Sequence, residues 1–192
     1  MRSDKDKIIN EIARHYRDIL ILLGEDPERE GLLKTPYRAA KALYDMTAGY
    51  EEKGEDIISQ AIFTHEGTEI VIVKDIEFYS LCEHHILPFF GNVSIGYIPD
   101  GKILGLSKLA RLVNTFSKRL QVQERMTFQI CDFLSKHIPN KGVIVTVEAG
   151  HLCMKMRGVE KQGATTVTTE YSGLFKNPDL RKEFFALCGT NK

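Results

Sequence analysis

Glu69-Ile-Val-Ile-Val-Lys-Asp-Ile-Glu-Phe-Tyr79 carries six apolar, mostly β-branched residues: Ile70, Val71, Ile72, Val73, Ile76 and Phe78. After Gly54 the hydrophobic pattern changes period, and this run reads as a strand. Phe89 to Ile98 reads as a second strand, with Val93, Ile95 and Tyr97 alternating, and Pro99-Asp100-Gly101 closes it with a turn. Gly142 to Ala149 alternates at Val143, Val145 and Val147, and Ala164 to Tyr171 is rich in Thr and Val. Working outward, residues 3–23 place Ile8, Ile9, Ile12, Ile19, Leu20 and Leu23 on one helical stripe. Ser3 with Asp6 resembles a capping box there, and Gly24 is the stop. Thr35 as N-cap and Pro36 at the first helical position open a second helix that runs to Gly49. From Ser107 to about His137, one stripe (Leu109, Leu112, Val113, Phe116) and another (Met126, Ile130, Phe133, Leu134) meet at the polar stretch Gln121–Arg125. That pattern predicts two helices, or one with a break. Asn177-Pro178 opens a short last helix to about Cys188. The order is helices, two strands, helices, two strands, helix, which predicts an α+β domain with antiparallel strands.

The chain has 192 residues, 43% hydrophobic and 27% charged, enough to bury a core without disulfide staples. Its 26 basic and 26 acidic side chains balance, so counterion release offers no drive toward nucleic acid, and neither a nucleic-acid nor a membrane partner is expected. The polar start, Met1 to Asn10, does not read as a signal peptide, and no apolar run approaches the ~20 residues that span a bilayer. Four cysteines without a secretion signal imply reduced thiols and a cytoplasmic setting.

Chemistry concentrates in Cys82-Glu83-His84-His85 and His151-Leu152-Cys153. Cys82 and His85 have the C-x-x-H spacing by which one turn offers two ligands to a tetrahedral ion. If the strand ending near Ala149 continues, His151 and Cys153 share a face. Thiolate plus imidazole selects zinc over magnesium or calcium. The economical reading is three ligands, Cys82, His85 and Cys153, with the fourth position open to water, a catalytic zinc pattern. His84 and His151 are then left to move protons, which implies metal-assisted hydrolysis. Cys131 and Cys188, on apolar helix positions, read as small buried hydrophobes. No glycine-rich phosphate loop is present, so phosphates would fall to side chains. Ser107, Lys108 and Arg111 stand at a helix start, Arg157 follows Cys153, and Arg38 and Lys41 lie near the start of the second helix, where an anion is favoured.

Together with Thr35-Pro36-Tyr37-Arg38, Gly105-Leu106-Ser107-Lys108, Gln121-Val122-Gln123-Glu124-Arg125 and Met156-Arg157-Gly158-Val159, the two metal segments resemble GTP cyclohydrolase I, in the right order over roughly residues 8 to 175. The resemblance implies a tunnelling fold, an antiparallel four-stranded sheet with two helices packed on it. An N-terminal helical region (1–60) would precede a zinc-containing catalytic domain (61–192). It implies a homodecamer of two pentamers with active sites between subunits. The activity implied is zinc-dependent opening of the guanine imidazole ring of GTP, with loss of formate and formation of 7,8-dihydroneopterin triphosphate, the first step of tetrahydrofolate and pterin biosynthesis. By the same resemblance, His84 and His151 shuttle protons, Gln123 and Glu124 read the guanine, and Ser107 touches the ribose or helps its rearrangement. Lys108, Arg111, Arg157, Arg38 and Lys41 hold the triphosphate. Glu83 either orients a histidine or is simply exposed. A zinc-binding ring protein without activity, or a tunnelling-fold enzyme for a pterin or deazapurine, are the competing readings. The joint presence of His84, His151, Glu124 and the cations speaks against both.

Overall fold

A computed structural model describes residues 4–59 and 61–189. Along the chain run α1 (Lys5–Leu22), α2 (Thr35–Met46), α3 (Gly54–Ile58), β1 (Ile62–Thr64), β2 (Val71–Cys82), β3 (Pro88–Pro99) and β4 (Lys102–Leu104). There follow α4 (Leu106–Ser117), β5 (Leu120–Gln121), α5 (Gln123–His137), β6 (Asn140–His151), α6 (Leu152–Lys155), β7 (Thr166–Tyr171) and α7 (Pro178–Cys188). The chain is thus a mixed α+β fold. The four long strands pair antiparallel in the order β2-β3-β6-β7, and the two-residue β5 adds a parallel fifth strand at the β2 edge. β1 and β4 make a separate small antiparallel pair. The expected sheet therefore gains a fifth strand, and these short pieces carry too few residues to show a period.

β2 contains a bulge. Val73 lies opposite Ile95 but Ile76 lies opposite Val93, so β2 spends one residue more than β3 between those pairs, and Asp75 takes φ +58°. Side chains alternate along a strand, so the extra residue changes which parity faces the core. Val71 and Val73 face the helices before it; Ile76, Phe78 and Cys82 face them after it.

On that face α4 and α5 cover the sheet. Leu109, Leu112, Val113, Met126, Ile130 and Leu134 meet Val93, Ile95, Tyr97, Val143, Val145 and Val147 in the main core. Fully burying one such aliphatic side chain contributes about 1.5–3 kcal/mol. α7 caps part of the other face, where Phe184 and Phe175 pack on Ile98 and Ile144. Gly96 is needed there, since a Cβ would come within 2.8 Å of the Phe184 ring. α1 and α2 form a smaller cluster of their own, Ile9, Ala40 and Tyr44 with Ile8, Ile12, Ala13 and Tyr16.

Helix ends follow their caps. Asp4 caps α1 by accepting from Lys7 N–H at 3.1 Å, while Ser3 lies outside the described residues. Gly24, at φ +84°, ends α1 as read: its N–H donates to Ile21 O and that of Glu25 to Leu20 O. α2 differs from expectation. Lys34 is its N-cap and Thr35 is already helical, because a preceding turn takes the Thr35 N–H to Leu32 O at 2.8 Å. α2 also stops at Met46, three residues short of the expected Gly49. The break in the long helical region is real: β5 separates α4 from α5, and Gln123 to Arg125 form the first turn of α5. Asn177 caps α7 by accepting from Asp179 N–H.

Candidate metal centre and substrate site

The turn from Cys82 to Leu87 joins β2 to β3 and is held by its own backbone. Cys82 N–H donates to Leu87 O at 2.8 Å and Ile86 N–H to Cys82 O at 2.7 Å. Ile86 sits at φ +55°, a costly conformation for a β-branched residue. Glu83 N–H donates to Gln121 O at 3.0 Å and ties the turn to β5. On the other side β6 ends at His151, and Cys153 lies in the single turn of α6. The strand does not continue, so Cys153 arrives by a helical turn rather than by strand alternation.

These two ends bring Cys82, His85 and Cys153 together, with their ligand atoms within 4.8 Å of one another. Cys82 Sγ lies 3.9 Å from His85 Nδ1. Around a tetrahedral zinc, with Zn–S about 2.3 Å and Zn–N about 2.05 Å, an S···N edge is about 3.6 Å and an S···S edge about 3.8 Å. The triangle needs only a small contraction to fit, and two thiols with one imidazole are the donor chemistry zinc selects. Burial and the neighbouring Cys82 thiol push the Cys153 thiol up, with Arg157 opposing. Two thiolates side by side repel, and a divalent cation between them would remove that penalty.

The two other histidines flank the triangle without belonging to it. His84 is exposed, with Nδ1 3.9 Å from Cys82 Sγ and Nε2 3.9 Å from the Glu83 carboxylate. Glu83 in turn accepts from Arg125. His151 stacks on Phe89 with centroids 4.6 Å apart and planes at 2°, its register partner across the sheet. Its Nε2 lies 2.7 Å from Gln123 Oε1. Burial lowers its pKa, the Glu124 carboxylate opposes that, and Lys155 adds to it, so the ring is neutral near pH 7.

Cys82, His84, His85, Glu124, His151 and Cys153 line one cavity of about 220 Å³, with Met154 and Thr166 on its wall. Glu124 is exposed in the first turn of α5. Gln123 is 1% exposed, and its side chain is engaged within the chain, to Val147 O, Thr166 O, Thr168 and His151. The expected cations do not converge here. Lys108 and Arg111 line a different cavity, of about 560 Å³, with Lys53 and Lys118 and the carboxylates Glu51, Glu52 and Asp56. Ser107 is exposed one residue before Lys108 on α4. Arg38 and Lys41 are exposed on α2, where Lys41 pairs with Asp45 at 2.5 Å. Arg157 follows α6, close enough to Cys153 to act on its thiol.

The chain as a whole has counterparts among known proteins. The family model for GTP cyclohydrolase I matches residues 12–189. The chain belongs to the GTP cyclohydrolase I family. Curated members bear this out along the whole length. A "GTP cyclohydrolase 1" of Porphyromonas gingivalis is 50% identical, over 98% of each chain. One from Bacteroides fragilis is 52% identical over 96% of this chain and 97% of its own. One from Dictyostelium discoideum is 51% identical over 97% of this chain and 81% of its own. A solved archaeosine synthase, QueF-like, in the apo form, is similar over 56% of this chain and 97% of its own, at TM-score 0.46 and 20% identity. Membership makes this chain an enzyme of the GTP cyclohydrolase family. Motif and spacing assign no role to Arg125, Phe89, Lys53 and Lys118. Arg125 stood inside a quoted motif, while the lysines are single surface charges with no spacing to mark them.

Proposed function

We propose that this chain is a zinc-dependent hydrolase that opens the imidazole ring of GTP, releases formate and forms 7,8-dihydroneopterin triphosphate. The observation that carries the reading is the Cys82–His85–Cys153 triangle sharing one cavity with His84, His151 and Glu124. Zinc held by those three residues would supply Lewis acidity and a water acidic enough to attack at neutral pH. His151, neutral near pH 7, is suited to take a proton, and exposed His84 to exchange one with solvent. Glu83, between Arg125 and His84, is suited to orient that imidazole. Glu124 can accept from the guanine N1–H and exocyclic amine together, a donor pair adenine lacks. Gln123 lines the same cavity beside Glu124, so it is placed to meet the guanine as well, and its amide also bonds His151.

Arg157, beside Cys153, would meet the triphosphate of its own chain's substrate. Lys108 and Arg111, at a separate cavity, with Ser107 next to Lys108 on α4, would serve a substrate shared with a neighbouring subunit, and Arg38 and Lys41 the same, in a decamer of two pentamers. The stacked and exposed Tyr79–Phe90 pair on the sheet face away from α4 and α5, and the exposed Ile19 and Leu22 of α1 with Leu23 just past its end, support burial against other subunits. The sheet with α4 and α5 on one face supports a tunnelling fold over 61–192, with 1–60 as its helical appendage. The free Cys82, Cys131, Cys153 and Cys188 support a reducing, cytoplasmic setting, and among the described residues no helix is long and apolar enough to cross a membrane. Purified protein given GTP should release formate, and the product should yield a fluorescent pterin on oxidation. No formate at neutral pH would overturn the reading.

A further inference from the structure

We infer that Gln123 is a positioning residue that holds His151 in the Nε2–H tautomer and leaves Nδ1 as the only atom of that ring able to accept a proton. The inference rests on the reading of His151 as a proton carrier. The two ends of a glutamine amide look alike, so its neighbours must decide its orientation. Val147 O and Thr166 O lie 3.1 and 3.0 Å from Gln123 Nε2. Backbone carbonyls only accept, so the NH2 end must face them. The hydroxyls point the same way. Thr127 donates to the Gln123 backbone carbonyl at 2.8 Å, which uses its proton. The Thr127–Thr168 contact at 2.7 Å must then be donated by Thr168, whose oxygen stays open to accept from Gln123 Nε2 at 3.1 Å.

The amide is therefore oriented in one direction, and its oxygen faces His151 at 2.7 Å. That oxygen can only accept, so Nε2 must carry a hydrogen. A neutral imidazole has one N–H, and Nδ1 is bare. Rotating the ring by half a turn would set a carbon against the Gln123 oxygen and lose the bond, and Phe89 keeps the ring plane. Any proton His151 takes must arrive on Nδ1. The imidazolium so formed keeps a neutral amide oxygen on Nε2, not the carboxylate of a Ser-His-Asp triad. The frame is buried and comes from α5, β6 and β7, so β7 supports a site to which it gives only a wall residue, Thr166.

The direct test is solid-state 15N NMR of the zinc-loaded enzyme with labelled histidine, without substrate, the His151 signal being assigned by its loss in His151→Asn. A protonated Nε2 with a bare Nδ1 at neutral pH is expected; the reverse pattern overturns the inference. In Gln123→Met the formate-release kcat should fall about 10- to 100-fold. Zinc content should be kept, the KM for GTP should stay within about twofold, and the pure Nε2–H signature should be lost. A raised KM with kcat intact would make Gln123 a guanine-binding residue and sink the proposal. Should Gln123→Met fail to fold, the wild-type spectrum still decides. A wild type that shows the Nε2–H tautomer but releases no formate refutes the enzymatic reading and not the tautomer, so the two failures are separable.

Discussion

Cys153 and His151 stand two residues apart and carry opposite predictions. Cys153→Ser should lose zinc and activity together. His151→Ala should keep about one zinc per chain while kcat falls by roughly 10²–10⁴. Metal analysis beside the formate assay separates them, and loss of zinc from His151→Ala would mean the ligands are misassigned. Cys131 gives a prediction unconnected with catalysis. Burial pushes its thiol up to about 11 from 9.0. Between those values the folded chain keeps a proton that the unfolded chain has lost, so stability drops as pH rises through that window. Below pH 9 the contribution is fully present. Urea unfolding across pH 8 to 11 should show a shallower alkaline decline for Cys131→Ala than for wild type, though from a lower start. At this scale the members of the Cys82–His85–Cys153 triangle were legible because residue type and spacing are local. The engagement of Gln123 was not, since its partners lie on β6 and on β7, 43 and 45 positions away for Thr166 and Thr168.

Among the elements, β2 does the most to place the centre. Its bulge decides that Cys82 faces the helices, toward Cys153, and not the far side of the sheet. Deleting Asp75 should reverse that parity and abolish zinc binding, read by metal analysis with the far-ultraviolet spectrum as a control on folding. Asp75→Gly should bind zinc normally, because glycine accepts positive φ freely. Asp75→Val should cost about 1–2 kcal/mol. The change of parity was written in the sequence, as Val71 and Val73 against Ile76 and Phe78. Ile70 and Ile72, which pack beneath α7, filled the other parity and concealed it. The strands themselves were legible because alternation is a strong local signal. The α1 stripe was legible too, but only its first half is covered: α2 ends at Met46, and Ile19 and Leu23 remain exposed. β1, β4 and β5, at two or three residues, fall below any periodicity.

At the scale of the molecule, the α+β class followed from the order of patterns, and the family from motifs spread over most of the chain. Which cavity each cation lines was beyond reach, because sequence order says nothing of whether two motifs meet within one subunit. The cavity beside the Cys82–His85–Cys153 triangle and the Lys108–Arg111 cavity are separate in this chain. If neighbours complete each other's sites, Cys153→Ser and Lys108→Ala subunits should each be inactive alone. Unfolded, mixed and refolded together they should regain a measurable share of formate release, and no recovery would place both residues in one subunit's site.

The Lys108–Arg111 cavity also carries its own counter-charge. Lys53, Lys108, Arg111 and Lys118 face Glu51, Glu52 and Asp56, leaving one net positive charge among seven ionisable side chains. On the proposed reading, a triphosphate entering this cavity competes with built-in carboxylates for the same cations. It exchanges one set of anionic partners for another instead of expelling a cloud of solution ions. Attraction would then act mainly at short range, and substrate capture there should depend only weakly on ionic strength.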